Sequence, residues 1–369
     1  MNLSRLRKAM EESGLDAVIA ASPENLNYAA GACEFLVRLQ LIRERLAMAI
    51  FDKASAPTLL VVNSALPKYK RESWIQDVRA YAIDKSPIPS LVEVLGQKGL
   101  LDARVGIELN YLPVSYFQEL TSLMPKATFV DSSKLWGCLR MVAEEKEIEI
   151  LRYAATATRH AIEATFHLIR PGDTEKHLSD MIAHHMLIRG CDKFLWGHIG
   201  SGPDFVLQGW PRVEKRLTEG EIVHVDCGGE FQGYHSDTAR MAVVGKPSDR
   251  QRQVYAAVVR AEREVIEMIR AGVKASALFH KGKAVFEEAG IPHWLYFIGH
   301  GIGTELHAPP ILSADNESTL QEGTVVAIET VCTYPGEGIF HVEDAVLTTP
   351  SGPDILTGEL PREELFVIE

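Results

Sequence analysis

The chain has 369 residues, of which 46% are hydrophobic and 24% charged, with a net charge of −12. That length exceeds one typical hydrophobic core and predicts two domains. The acidity lies in the second part: residues 1–143 carry 17 Lys and Arg against 15 Asp and Glu, and residues 144–369 carry 21 against 35. An acidic chain without a basic stripe is not built to bind nucleic acid.

The opening MNLSRLRKAMEESG predicts an amphipathic helix over about residues 3–13 and lacks the apolar core of a signal peptide. An apolar strand follows at DAVIAAS, with further strands expected at RLAMAIF, TLLVVN, RVGIEL and ATFVDSS and a helix after Leu112-Pro113. Helices alternating with strands imply an α/β layered domain. At WGCLRMVAEEKEIEIL charges dominate before a long helical pattern begins. This places a boundary near residues 138–145 and defines domains 1–140 and 141–369. No apolar run reaches the roughly 18 residues of a bilayer span. Cys33, Cys138, Cys191, Cys227 and Cys332 are scattered without a Cys-x-x-Cys pair, the pattern of reduced thiols in a cytoplasmic protein.

The second domain holds a weak internal repeat at an offset of 100 residues. Ile169-Arg170-x-Gly172 matches Ile269-Arg270-x-Gly272, Leu178 matches Leu278, and Gly190 matches Gly290. Each copy predicts two helices punctuated by glycines and then strands. Two such copies would form a pseudo-two-fold sheet with helices outside and a site between the halves.

Five residues carry the chemistry. Asp226 ends the apolar run EIVHVDCGG, and Asp237 follows the turn in GEFQGYHSDTAR. His300 lies in what the glycines of IGHGIGTELH suggest is a loop. Glu329 and Glu343 fall inside the strand patterns TVVAIETV and IFHVEDAVLTT. A lone aspartate in such a place is more often a turn or edge residue. A glutamate within an apolar strand, however, is rarely buried without a partner. Four carboxylates and one imidazole converging in a core are tolerated when they coordinate cations, and two divalent ions match them almost charge for charge.

The pattern DCGG…GYHSDTAR…GHGIG…H…E…VED resembles the creatinase/prolidase/methionine-aminopeptidase superfamily, the pita-bread fold, and the resemblance extends over the whole chain. It implies an N-terminal creatinase-like α/β domain and a C-terminal pita-bread α+β catalytic domain with pseudo-two-fold symmetry. It also implies a dinuclear metallohydrolase, most like an Xaa-Pro peptidase, acting on a small peptide or amide, with a homodimeric assembly. Asp226 would hold one metal, His300 and Glu329 the other, and Asp237 and Glu343 would bridge them. Water activated by the metals would be the nucleophile. An oxygen-rich set with one imidazole suits Mn²⁺, Co²⁺, Zn²⁺ or Fe²⁺. His307 matches a histidine that contacts substrate, and Arg240 a structural arginine.

The sequence also departs from the family. Gly209, in GSGPDFVLQGW, stands where the peptidases usually have a histidine. His341 replaces an arginine two residues before the last glutamate, and Thr330-Val331 replaces Pro-Gly after Glu329. His341 and Trp210 are candidates for reshaping the substrate pocket, with simple packing the bland alternative for Trp210. These changes predict weak or absent turnover of Xaa-Pro dipeptides and leave open a relative that acts on a small metabolite as an amide or amidine hydrolase or as a lyase. A catalytically dead interaction module is disfavoured by the intact ligand set.

Overall fold

The computed structural model describes residues 1–32, 45–206, 209–292, 296–361 and 363–369. Cys33, and Leu207 and Gln208 of GSGPDFVLQGW, lie outside the described residues. The chain divides into two compact units, Met1–Arg140 and Met141–Glu369.

The first unit is a six-stranded sheet in the order β4-β3-β2-β1-β5-β6. Its strands are β1 (Ala17–Ala20), β2 (Met48–Asp52), β3 (Thr58–Val62), β4 (Asp77–Tyr81), β5 (Arg104–Ile107) and β6 (Thr128–Asp131). Around it lie α1 (Leu3–Glu12), α2 (Pro23–Ala30), α3 (Leu66–Glu72), α4 (Ile88–Gln97), α5 (Val114–Leu123) and α6 (Ser133–Arg140). The five expected strands all form, and α5 begins after Pro113, as expected. Strand β4 was not foreseen. It lies at the sheet edge and buries only Tyr81, so it carries no apolar alternation to read.

The second unit begins with α7 (Glu145–Phe166) and α8 (Glu175–Ile188), then β7 (Lys193–Ser201), β8 (Ile222–Phe231), β9 (Tyr234–His235) and β10 (Thr238–Val244). A second set follows: α9 (Asp249–Ile266), α10 (Ala275–Ala289), β11 (Phe297–Gly301), β12 (Ala308–Ser313), β13 (Val325–Tyr334) and β14 (Gly338–Thr349). Strands β15 (Gly352–Ile355) and β16 (Phe366–Ile368) close the unit. The main sheet runs β12-β11-β13-β14-β10-β8-β7, with β15 on β14, β16 on β10 and β9 on β8.

The offset-100 repeat is realised in three dimensions. Ile169, Ile269, Leu178 and Leu278 are all fully buried. Gly172 and Gly272 take φ of 89° and 90°, a conformation that side chains avoid. Their N–H groups donate to the carbonyls of Leu217 and Leu320 at 2.9 and 2.8 Å. Each copy thus presents a helix pair and contributes one half of the sheet.

Strand periodicity decides which face does what. Val223, Val225 and Cys227 of β8 pack with Ala154, Ala161 and Ile162 of α7. Val326 and Ile328 of β13 pack with Val265 and Ile266 of α9 and Leu278 of α10. The intervening residues of the same strands, His224 and Asp226 on β8 and Glu329 on β13, therefore share the face opposite the helices.

Candidate metal centre

The ladder registers place the site residues in one row across the sheet. Glu329 pairs with Glu343, Glu343 with Ala239, Ala239 with Asp226, and Asp226 with His198. Directly paired residues project to the same face. The methyl of Ala239 leaves room between Asp226 and Glu343 for their carboxylates to converge. Asp237 lies two residues before Ala239 and shares its face. The link from β8 is a two-residue hairpin at Gln232-Gly233, both with positive φ (52° and 83°), the geometry of a type I′ turn.

His300 enters from the second half. Its Nε2 lies 3.6 Å from Asp237 Oδ2, 3.6 Å from Glu329 Oε1 and 3.7 Å from Glu343 Oε1. His341 approaches the same glutamates from the other side, its Nε2 3.6 Å from Glu329 Oε2 and 3.8 Å from Glu343 Oε2. His198 Nδ1 is 3.4 Å from Asp226 Oδ2. His307 stacks on His300 with ring centroids 4.0 Å apart.

Burial sets the electrostatics. Asp226, Asp237, Glu329, Glu343, His300 and His341 are all buried. Burial raises all four carboxyls, Glu329 to about 8 with Asp226 adding repulsion. It raises Asp237 and Glu343 well above the usual range, reinforced by the neighbouring acids. Asp226 is raised too, although its hydrogen bond to His198 opposes the shift. Burial lowers the imidazoles: His300 to about 3, with His307 contributing, His224 to about 3, and His341 well below its usual value. These rings are therefore neutral at neutral pH. His307, exposed at its outer edge, is lowered by partial desolvation and then by His198.

Asp226 Oδ1, Asp237 Oδ1, Glu343 Oε1, His300 Nε2 and His341 Nε2 are buried without a hydrogen-bond partner. Buried polar atoms are almost always satisfied. Here, unpaired acid oxygens and neutral imidazole nitrogens face one another, a donor set that a divalent cation satisfies.

The positioning is done from the sheet's other face and by close strand packing. Arg240 is buried, donating to Asp344 Oδ1 at 2.7 Å and to the Glu343 carbonyl at 2.9 Å. It thus clamps β14 beside the glutamate. The expectation of a loop around His300 is corrected: His300 lies within strand β11, paired with Ala327 of β13. The glycines misled because they serve the ladder. A Cβ at Gly299 would meet the Ala327 carbonyl oxygen at 2.3 Å, and one at Gly301 the Pro309 carbonyl oxygen at 2.2 Å.

Sequence reasoning missed His198 and His224. His224 precedes Asp226 by two residues, so strand alternation alone would have put it on the same face. His198 is found only through the β7–β8 register. Trp210 is 80% exposed and so is not packed within this chain. A Cβ at Gly209 would stand 2.9 Å from the Val206 carbonyl oxygen, so a histidine there requires the backbone to shift.

A sheet flanked by repeated helix pairs, with a carboxylate–imidazole cluster across its centre, defines a hydrolytic metal centre in a pita-bread domain. The sequence matches the model of metallopeptidase family M24 over residues 149–350 and that of the creatinase/prolidase N-terminal domain over residues 2–142. The chain belongs to metallopeptidase family M24. It is 29% identical over 358 residues to the Xaa-Pro dipeptidase of Pyrococcus furiosus, covering 96% of this chain and 97% of that protein. Among solved structures, the prolidase of Pyrococcus horikoshii aligns with a TM-score of 0.84 at 27% identity, covering 98% of this chain and 99% of that one. The dipeptidase PepE of Mycobacterium ulcerans aligns with a TM-score of 0.83 at 27% identity, covering 99% and 96%. Membership implies divalent metal, which the unpaired donors fit.

Proposed function

We propose that this chain is a dinuclear metallohydrolase that cleaves the peptide bond of Xaa-Pro dipeptides. Asp226, Asp237, His300, Glu329 and Glu343 would hold the two cations. The observation that carries this reading is the set of buried, unpaired carboxylate oxygens and imidazole nitrogens facing one another across four strands. The full-length similarity to an Xaa-Pro dipeptidase supports the substrate. The bound cations supply Lewis acidity toward a carbonyl and an activated water.

The protein's own groups do the rest. Glu329 and Glu343, buried and facing the cation positions, would give up their protons when the metals bind and serve as charged ligands. His307, neutral and at the exposed edge of the site, would donate a hydrogen bond to the substrate carbonyl. Without a histidine at position 209, one substrate contact is lost, so a low kcat on the same bond is expected. The reading includes Mn²⁺, Co²⁺, Zn²⁺ or Fe²⁺ as the metal, a homodimer and a cytoplasmic location. Cys138, Cys191, Cys227 and Cys332 are free, in keeping with a reducing compartment. Among the described residues, no helix is long and apolar enough to cross a membrane.

The test is a metal-reconstituted activity screen across Xaa-Pro dipeptides, dipeptides without proline and small amide metabolites, with Glu329→Gln as control. Hydrolysis of Xaa-Pro that falls about a thousandfold in the control supports the reading. A loaded protein that hydrolyses only a small amide would replace it with the metabolite alternative.

A further inference from the structure

His341 offers an inference about the centre itself. Its ring is stacked on that of His224, with centroids 5.4 Å apart, and both side chains are buried. The proton positions follow from the partners. His224 Nδ1 lies 2.8 Å from the carbonyl oxygen of His198, which can only accept, so His224 carries its hydrogen on Nδ1. A neutral His224 then has a lone pair at Nε2. That atom lies 3.3 Å from His341 Nδ1, so His341 must donate there. A neutral His341 is left with a lone pair on Nε2, buried and without a hydrogen-bond partner.

That lone pair is aimed at acids. Its neighbours are Glu329 Oε2 at 3.6 Å and Glu343 Oε2 at 3.8 Å, too distant for hydrogen bonds. The same two glutamates present their Oε1 atoms to His300 Nε2 at 3.6 and 3.7 Å. Each glutamate therefore divides its oxygens between two imidazoles at nearly equal distance. Asp237 completes the His300 side, and Asp226 lies on the His341 side, its Oδ2 3.8 Å from His341 Nδ1. Donor atoms on one ion at bond lengths of about 2.1 Å stand roughly 3–3.5 Å apart, and the His300 and His341 sides are equally close to that spacing. The carbonyl–His224–His341 chain is the kind of outer hydrogen bonding that fixes the tautomer of a ligating histidine.

We propose that His341 donates Nε2 to the cation on the Asp226 side, so that each of the two ions takes one imidazole. His224 is then a positioning residue that fixes the His341 tautomer. The inference rests on the dinuclear reading above. Its chemical consequence is selectivity, because a nitrogen donor on both ions favours Zn²⁺ or Co²⁺ over Mn²⁺.

The experiment loads the metal-free full chain with two equivalents of Co²⁺ and counts histidine ligands by X-ray absorption, alongside stepwise Co²⁺ affinity by titration. The wild type is expected to show one imidazole per cobalt on average. His341→Gln should lower that count to half and weaken the second equivalent by at least about tenfold, leaving the first unchanged. His224→Gln should weaken the same equivalent less. A wild-type count of half an imidazole per cobalt overturns the proposal, whatever the variant does. An unchanged count in His341→Gln also overturns it, by assigning the nitrogen to another ring. Failure to bind any cobalt overturns the dinuclear reading and this inference together, whereas two bound ions with the lower count overturn this inference alone. Should His341→Gln not fold, the wild-type count decides.

Discussion

Glu329 stands directly opposite Glu343 in the β13–β14 ladder, both side chains buried and on the same face. Like charges directly opposed on a sheet destabilise it, and burial compounds the effect. Such a pair can persist in two ways: the acids hold protons, or a cation stands between them. The metal-free protein should therefore lose stability as pH rises, and metal should remove that loss.

In the metal-free protein, burial and Asp226 lift the Glu329 carboxyl from 4.5 to about 8. An acid raised on folding stabilises the fold fully below its unfolded pKa, and that stability is lost as pH climbs through the folded value. The window is thus from about 4.5 to about 8, with Asp237 and Glu343 acting in the same direction. A melting temperature followed in chelator should fall by about 5–10 °C between pH 5 and 8. Saturating divalent metal should abolish the fall and bind more tightly as pH rises, because binding displaces protons. A flat profile in chelator would show that the acids are not buried as a group.

His307 tests the catalytic edge of the site separately from its metal content. It is exposed at one side and stacks on His300 with centroids 4.0 Å apart. Removing an exposed ring costs little packing. His307→Ala should retain both metals and its melting temperature while kcat falls about a hundredfold, the size of one lost hydrogen-bond donor to the developing charge. Loss of metal in this variant would instead make His307 a ligand.

Much of this was legible in sequence because strand periodicity and glycine punctuation are local signals. Glu329 and Glu343 declared themselves as acids inside apolar strands, and the offset-100 glycines marked the two helix pairs. What stayed hidden depends on pairing between distant strands. His198 meets Asp226 only through the β7–β8 register, and His341 meets His224 only through the arrangement of β14, β10 and β8. The loop expected at His300 failed for a related reason. Glycines that permit turns also permit strands to pack where a Cβ would strike a carbonyl, and only the neighbouring strand tells the two apart.

Ala239 follows from the same row. It lies between Asp226 and Glu343, fully buried and paired with both. Ala239→Leu would fill the space in which the carboxylates converge. Overpacking should cost about 1–3 kcal/mol in chemical denaturation, and the variant should hold fewer than two metals by elemental analysis. Full metal content would show that the row does not converge over Ala239.

Arg240 and Asp344 hold β14 from the far side, their side chains 2.7 Å apart and both buried. Glu262 lies in the same interior, its carboxyl raised well above the usual range by burial and then by Asp344. Arg240→Met leaves Asp344 without its cation next to that acid, and breaking a buried pair costs about 3–5 kcal/mol. The Arg240→Met/Asp344→Leu double variant removes both charges and should recover most of that loss, since an apolar pair of similar volume is often neutral. Urea denaturation of the metal-loaded single and double variants measures both quantities. Activity separates the clamp's two roles. If Arg240 also orients Glu343 through the hydrogen bond to its carbonyl, the double variant will regain stability while kcat stays depressed. Full recovery of kcat with stability would limit Arg240 to charge compensation.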